Sequence, residues 1–325
     1  MTIAAAIDIG SNSVHVLVAD LDPDGSLVTL LDGNLQMGLG LVVDAQGRLG
    51  AVARRAAVAA VADFALFADD MGADPILLMG TQPLRRATDR SLLRREMRDA
   101  LGLELVVLSH QQEAALTLLG VTGGRAVAAP LLVMDVGGGS SEAILIAPGA
   151  HPVVGAVAVG SSRLSAAVVA HDPPTGEEIT ELRARAATLM AGLPAGSPAS
   201  GIVSGGSGTN VSRLLGRERT MPVTLDDLAM GLALLESSAA ADLCLATGLT
   251  ERRVRQLAAG IALVEALMLR YGLSVTEVSD AGLREGAVLA AEQLGGAWLA
   301  GLPGLLDGAG GRCRRPVRRG MMAAT

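Results

Sequence analysis

The chain reads as an α/β protein made from two copies of one plan. Residues 8–20, DIGSNSVHVLVAD, and residues 135–147, DVGGGSSEAILIA, repeat the order Asp, apolar residue, Gly, small residues, Ser, apolar run. Each copy follows a short apolar run, Ala4–Ile7 and Leu131–Met134, and so predicts a β-hairpin turned by small residues. After each hairpin the pattern changes to helices alternating with strands. That combination predicts an α/β duplication with its ligand site in the cleft between the halves.

In order, residues 3–9, 14–21 and 26–36 predict three strands, with turns at Asp22–Gly25 and Asp32–Asn34. Residues 48–70 are an Ala/Val-rich helix closed near Gly72, and 75–79 a buried strand leading into the loop GTQPLRRA, 80–87. An Arg-rich helix at 89–101, a strand at 103–108 and a helix at 110–120 bring the first half to Gly123–Gly124. The second half starts again with strands at 131–136, 141–147 and 152–159, then helices at 161–170 and 176–191. Next come the strand Ile202–Ser204 and a loop, Gly205–Thr209, that opens a helix to about 215. Helices at 225–236, 238–247 and 251–270, a strand at 275–279 and a helix at 281–294 complete it. Beyond about 302 the chain is Gly-rich and then basic, with Arg312, Arg314, Arg315, Arg318 and Arg319, the pattern of a flexible end. The expected domains are 1–124 and 125–300, with a basic tail at 301–325.

Half of the 325 residues are apolar and the mean hydropathy is +0.45, which suits packed cores and excludes a disordered chain. No apolar run is long enough to span a membrane and no basic leader precedes the first strand, so a cytoplasmic protein with no membrane partner is expected. Cys244 and Cys313 make no disulfide framework. There is no lysine, which excludes a P-loop lysine, a Schiff base and a lysine general base. Cationic contacts to a phosphate must come from arginine, backbone N–H groups or a metal. Four aromatic residues, Phe64, Phe67, Tyr271 and Trp298, and a net charge of −7 argue against nucleic acid as a partner.

The two small-residue turns are the strongest chemical signals. Glycine lets the backbone approach a ligand, and successive turn N–H groups form a concave anion site. Asp8 and Asp135, at strand ends, are placed to hold a cation or a water. Together the hairpins predict a two-sided phosphate clamp. Ser204-Gly-Gly-Ser-Gly-Thr209-Asn210 opens a helix and supplies a third anion-binding start, although its glycine spacing is not a dinucleotide fingerprint. Thr81 and Arg85 lie just past a strand, where an arginine can fork onto phosphate oxygens, whereas Arg86 reads as solvated. Glu113, near the start of a helix, can take a proton from water or can be an ordinary first-turn glutamate. His15, His110, His151 and His171 have no metal-ligand spacing, and His171-Asp172 reads as a loop.

In order along residues 3–292, DIGSNSVH, TxxLRxA at Thr81–Ala87, EA at Glu113–Ala114, DVGGGSSE, VGSSRL at 159–164, SGGSGTN and SDAGLREG at 279–286 resemble one family. It is the exopolyphosphatase / guanosine pentaphosphate phosphohydrolase family of the actin-like, sugar-kinase and Hsp70 superfamily. The resemblance implies two duplicated actin-like (ribonuclease H-like) domains with an interdomain cleft. It implies Mg²⁺-assisted attack of water on inorganic polyphosphate, releasing terminal phosphate, or on guanosine pentaphosphate or tetraphosphate. Carried over, Glu113 is the general base, and Asp135 and Glu142, with Glu113, place the metal and water. Asp8, Ser11, Asn12 and Ser13 form one phosphate loop, and Gly137, Gly138, Gly139 and Ser140 the other. Thr81, Arg85, Gly205, Gly206 and Ser207 add phosphate contacts. Where the family commonly has GEEEA or GNEEA, this chain has His110-Gln111-Gln112-Glu113-Ala114, which lowers negative charge beside the base. The helical C-terminal module of longer relatives, with its histidine–aspartate motif, is not expected. A kinase of the same superfamily and a non-catalytic polyphosphate or alarmone sensor are the other readings, and a homodimer is an open assembly state.

Overall fold

The computed structural model describes residues 2–22 and 26–307. In chain order the elements are β1 (Thr2–Ile9), β2 (Ser13–Leu21), β3 (Leu27–Gln36), α1 (Leu39–Gln46), α2 (Gly50–Asp70), β4 (Ile76–Gly80), α3 (Gln82–Arg86), α4 (Arg90–Leu101), β5 (Leu105–Val107) and α5 (His110–Thr122). There follow β6 (Leu131–Val136), β7 (Ser141–Ile146), β8 (Val153–Val157), α6 (Ser161–Val168), α7 (Gly176–Ala191), β9 (Ser200–Ser204), α8 (Gly206–Leu214), β10 (Val223–Thr224), α9 (Leu225–Ser237), α10 (Ala240–Thr247), α11 (Glu251–Arg270) and β11 (Val275–Ser279). The last are α12 (Leu283–Leu294), a single 3₁₀ turn and α13 (Trp298–Asp307).

These elements make two units, Met1–Ala126 with the chain from Ala281, and Val127–Asp280. The first holds a five-stranded sheet in the order β3-β2-β1-β4-β5, the second a six-stranded sheet in the order β10-β11-β9-β6-β7-β8. In both, an antiparallel hairpin is extended by parallel strands: β1 pairs with β2 and β4, and β6 pairs with β7 and β9. β1 shows why its sequence is apolar on alternate and intervening positions alike. Ala5, Ile7 and Ile9 enter one core of the first unit, while Ala4 and Ala6 enter the other. A strand covered on both faces reads as a near-continuous apolar run. α4 shows the opposite logic: Leu93 and Met97, one turn apart, are fully buried, and its arginines lie outside.

The structure departs from the sequence-based expectations at several places. The expected turn at Asp32–Asn34 is inside β3, which follows β2 through a register shift at Val18/Ala19. The 80–87 segment carries a short helix, α3, with Pro83 in its first turn, where its missing N–H costs nothing. α1 was not expected; Gly38 and Gly47, at φ of 72° and 68°, bracket it in left-handed conformations that glycine alone adopts easily. The expected second domain, 125–300, ends instead at Asp280, because α12 packs on α5 and β1 of the first unit. Two glycines permit that contact. A Cβ on Gly286 would stand 1.8 Å from the Leu116 carbonyl oxygen, and one on Gly120 would stand 1.9 Å from that of Gly282. Nor is 301–307 a loose end: it completes α13, whose Trp298 and Leu302 are buried in the first unit. The remainder of the expected turn, 23–25, and the Arg-rich stretch 308–325 lie outside the described residues.

Candidate functional site

In the first unit, β1 and β2 are joined by Gly10, Ser11 and Asn12. The turn is closed by Gly10 N–H donating to the Ser13 carbonyl at 3.0 Å. Its outward carbonyls are taken by the segment that leads into α1: Met37 and Gly38 N–H donate to the Asn12 carbonyl, and Gly40 N–H, inside the helix, to that of Ser11. Gly40 is required there, since a Cβ would come within 2.8 Å of the Ser11 Cβ. Ser11, Asn12 and Ser13 are all buried. Asp8 stands directly opposite His15 across the hairpin, and the Ser13 hydroxyl lies 2.6 Å from His15 Nε2.

The second unit repeats this construction. Gly137 N–H donates to the Ser140 carbonyl at 3.1 Å, and the start of α6 does what α1 does. Ser161 N–H donates to the Gly137 carbonyl, and Ser162 and Arg163 N–H to that of Gly138. This is the work of VGSSRL: a Cβ on Gly160 would meet the Gly137 carbonyl oxygen at 2.3 Å. Among the described residues the N–H groups of Gly138 and Gly139 donate to no protein acceptor. Backbone donors gathered in a turn whose carbonyls are already bonded suit an anion. Asp135 and Glu142 are register partners on β6 and β7, and Glu142 is 2 % exposed. Carboxylates directly opposite one another repel, and hard oxygen donors in such a pair suit a divalent cation.

Ser204 ends β9 and α8 starts at Gly206. Gly205 has φ 84°, and a Cβ there would come 3.3 Å from Asp135 Oδ1, so this loop lies against the carboxylate. The Ser207 hydroxyl is committed to the Val136 carbonyl at 2.9 Å, leaving the first-turn N–H groups for a ligand. Over Gly206 lies a residue the sequence reading missed. Arg253 Nη1 is 3.1 Å from where a Gly206 Cβ would be. Burial, and then Arg252, lower the pKa of Arg253. The signal that could have found it is two consecutive arginines in the first turn of a helix, where cations are unfavourable.

Back in the first unit, Thr81 is buried and its carbonyl accepts from Leu84 and Arg85 N–H. Arg85 reaches α5: its Nη1 donates to Glu113 Oε2 at 2.5 Å and to the Leu108 carbonyl at 3.0 Å. Its Nε donates to Gln82 Oε1, and its Nη2 lies 3.3 Å from His110 Nδ1. Burial, then Arg85, lower the His110 pKa, with Glu113 opposing them. A neutral imidazole accepting at Nδ1 carries its proton on Nε2. Glu113 itself is 8 % exposed, one turn into a helix started by a capping box between Ser109 and Gln112. Gln112 fills the N3 place that a glutamate fills equally well, so this departure from the family pattern leaves the helix start intact.

The remaining candidates are structural. Arg86 pairs with Asp44 of α1. His171 Nδ1 lies 2.9 Å from Glu178, and Asp172 accepts from Ala240 N–H and Arg255, so this pair ties helices together. No described helix is long and apolar enough to cross a membrane.

A model described as the Ppx/GppA phosphatase family matches residues 17–294. The chain is 25 % identical over 301 residues to exopolyphosphatase 1 of Mycobacterium bovis, covering 87 % of this chain and 86 % of that one. It is 34 % identical over 141 residues to the guanosine-5′-triphosphate,3′-diphosphate pyrophosphatase of Vibrio vulnificus, covering 43 % of this chain and 28 % of that protein. Its fold is similar to the crystal structure of the Aquifex aeolicus Ppx/GppA family member. The TM-score is 0.78 at 22 % identity, covering 90 % of this chain and 98 % of the other. That likeness shows the fold, two α/β domains of the actin-like kind.

Proposed function

The chain belongs to the Ppx/GppA phosphatase family, as a hydrolase acting on phosphoanhydride bonds, and we propose that it releases terminal phosphate from inorganic polyphosphate. The observation that carries this reading is the Arg85–Glu113 pair: a buried carboxylate held in one orientation by an arginine that is itself fixed to the Leu108 carbonyl. Glu113 is the general base and takes the proton of the attacking water at Oε1 or Oε2. Arg85 holds that carboxylate and brings its guanidinium charge to the phosphate, with Thr81 fixing the helix start from which it projects. The turn at Asp8, Ser11, Asn12 and Ser13 and the turn Gly137, Gly138, Gly139 and Ser140 hold phosphate oxygens through backbone N–H groups. Gly205, Gly206 and the Ser207 N–H bind a further phosphate at the start of α8, with Arg253 beside them.

Asp135 and Glu142 offer the paired hard oxygens that fit Mg²⁺, and they are the residues that would hold it. The ion would offset phosphate charge when bound. Attack by water needs no covalent intermediate, so positioning and charge stabilisation dominate.

Guanosine pentaphosphate is the second reading, supported by the likeness to the Vibrio vulnificus pyrophosphatase. The test is phosphate release from polyphosphate and from guanosine pentaphosphate, side by side with Mg²⁺. Faster release from polyphosphate is expected. Release from the nucleotide alone would replace the substrate, and release from neither would end the hydrolase reading.

A further inference from the structure

α2 packs on β1 and β2 of its own unit and buries Ala57, Ala60, Val61 and Ala68, while its opposite face stands in solvent. At 3.6 residues per turn, Val52, Arg55, Ala59, Asp63 and Leu66 fall on one line of that outer face, and all five are exposed. Val52 is 76 % exposed and Leu66 60 %, and Phe67 and Met71 are exposed near the C-terminal end of the helix. Single apolar side chains at a surface need no explanation, but a line of them along one helix marks a contact surface.

The order along this line is symmetrical about Ala59. Val52 and Leu66 lie seven residues to either side, Arg55 and Asp63 four, and Ala56 and Ala62 three. Two copies of α2 set antiparallel, with Ala59 against Ala59, therefore bring Arg55 of each copy level with Asp63 of the other, and Val52 level with Leu66. Such a face is its own complement, which a two-fold contact requires. The alanines let the helices approach closely at the centre, and opposite charges meet on both sides of it. Arg54, next in the chain, is committed to Asp89 and Glu96, whereas among the described residues neither Arg55 nor Asp63 has an ion-pair partner. The Arg-rich stretch 308–325 is a poor match for this face, since it contains no acid to meet Arg55. An anionic lipid surface is opposed by the exposed Asp63, Asp69 and Asp70.

We propose that the outer face of α2 is a docking surface for a second copy of this chain, closing a two-fold dimer through an antiparallel contact between the two α2 helices. The 21 residues of α2 make a rod about 30 Å long. One face of such a rod is smaller than a standard stable interface, so the dimer forms and separates with concentration.

The experiment is sedimentation equilibrium of the full chain over a range of concentrations, with circular dichroism checking the fold of each variant. Wild type should pass from monomer to dimer as concentration rises. Arg55→Asp and Asp63→Arg each set like charges level with one another and should weaken self-association about tenfold or more. Mixing the two single variants in equal amounts should restore the dimer, because each then offers the charge that the other needs. The double variant Arg55→Asp/Asp63→Arg exchanges the two charges and should restore it as well. A wild-type chain that stays monomeric at every concentration would overturn the proposal and leave the face to the 308–325 stretch or to another protein. Single variants that dimerise as well as wild type would also overturn it, as would single variants that stay weak when mixed.

Discussion

Arg85 Nη1 lies 2.5 Å from Glu113 Oε2, joining two side chains that are 28 residues apart in the chain. The sheet explains the meeting. β4 and β5 are parallel neighbours, with Gly80 opposite Val107, so the segments that leave their ends start side by side. Arg85 is on the helix after β4 and Glu113 on the helix after β5. In the sequence alone, Arg85 reads as a phosphate contact only. The structure gives it a carboxylate, a carbonyl and a histidine ring as well.

Arg85→Gln should therefore act mainly on turnover. Without the guanidinium, Glu113 loses its fixed orientation, and kcat should fall about 10- to 100-fold. Arg85→Lys should recover little, since an ammonium cannot reach the same set of acceptors in one plane. Steady-state kinetics decide it. A raised KM with kcat intact would return Arg85 to a plain phosphate contact.

Asp135→Asn and Glu142→Gln should each raise the Mg²⁺ concentration needed for half-maximal activity. The two residues are register partners across β6 and β7, and removing one charge weakens the hard donor set. Metal titrations that coincide with wild type for both variants would remove these residues from the metal site.

Gly286→Ala should destabilise the fold by about 3 kcal/mol or more, because the new Cβ would overlap the Leu116 carbonyl and force α12 off α5. Gly296→Ala, where nothing lies within 4 Å of the new Cβ, should be tolerated. Chemical denaturation of both variants checks this. Equal stability of the two would contradict the close packing of these helices.

Glu178 supplies a pH-dependent contribution. Burial pushes its carboxyl up, but N–H groups of Ala170 and Thr175 and the His171 ring outweigh that and hold its pKa at about 2. The folded pKa is depressed below the ordinary value of 4.5, so the stabilisation is full above 4.5 and is lost as pH falls towards about 2. Glu178→Gln should lower stability at neutral pH and flatten its decline between those pH values. A decline as steep as that of wild type would exclude Glu178 as its source.

The two hairpins, and most strands and helices, were legible because period, small-residue turns and caps are local signals. Asp8, Gly10–Ser13, Asp135, Gly137–Ser140 and Glu142 lie where their repeat implies, at equivalent turns of two sheets. What was hidden depends on contacts between distant segments. α1 is short, flanked by glycines and apolar, with no helical stripe to read, yet the N–H groups of Met37, Gly38 and Gly40 where it begins complete the first turn. The return of α12 to the first unit is written in Gly120 and Gly286, whose role shows only when the helices touch. Arg253 was missed because its one local signal, two arginines in the first turn of a helix, does not say that Gly206 lies beneath it.

We propose that Glu113, held by Arg85, moves the proton of the attacking water. The most direct test is single-turnover phosphate release from polyphosphate by wild type and by Glu113→Gln, with binding of the same polymer measured in parallel. The variant should lose about 100- to 10,000-fold in rate while its affinity for the polymer stays close to wild type. Retention of more than half of the wild-type rate would contradict the claim.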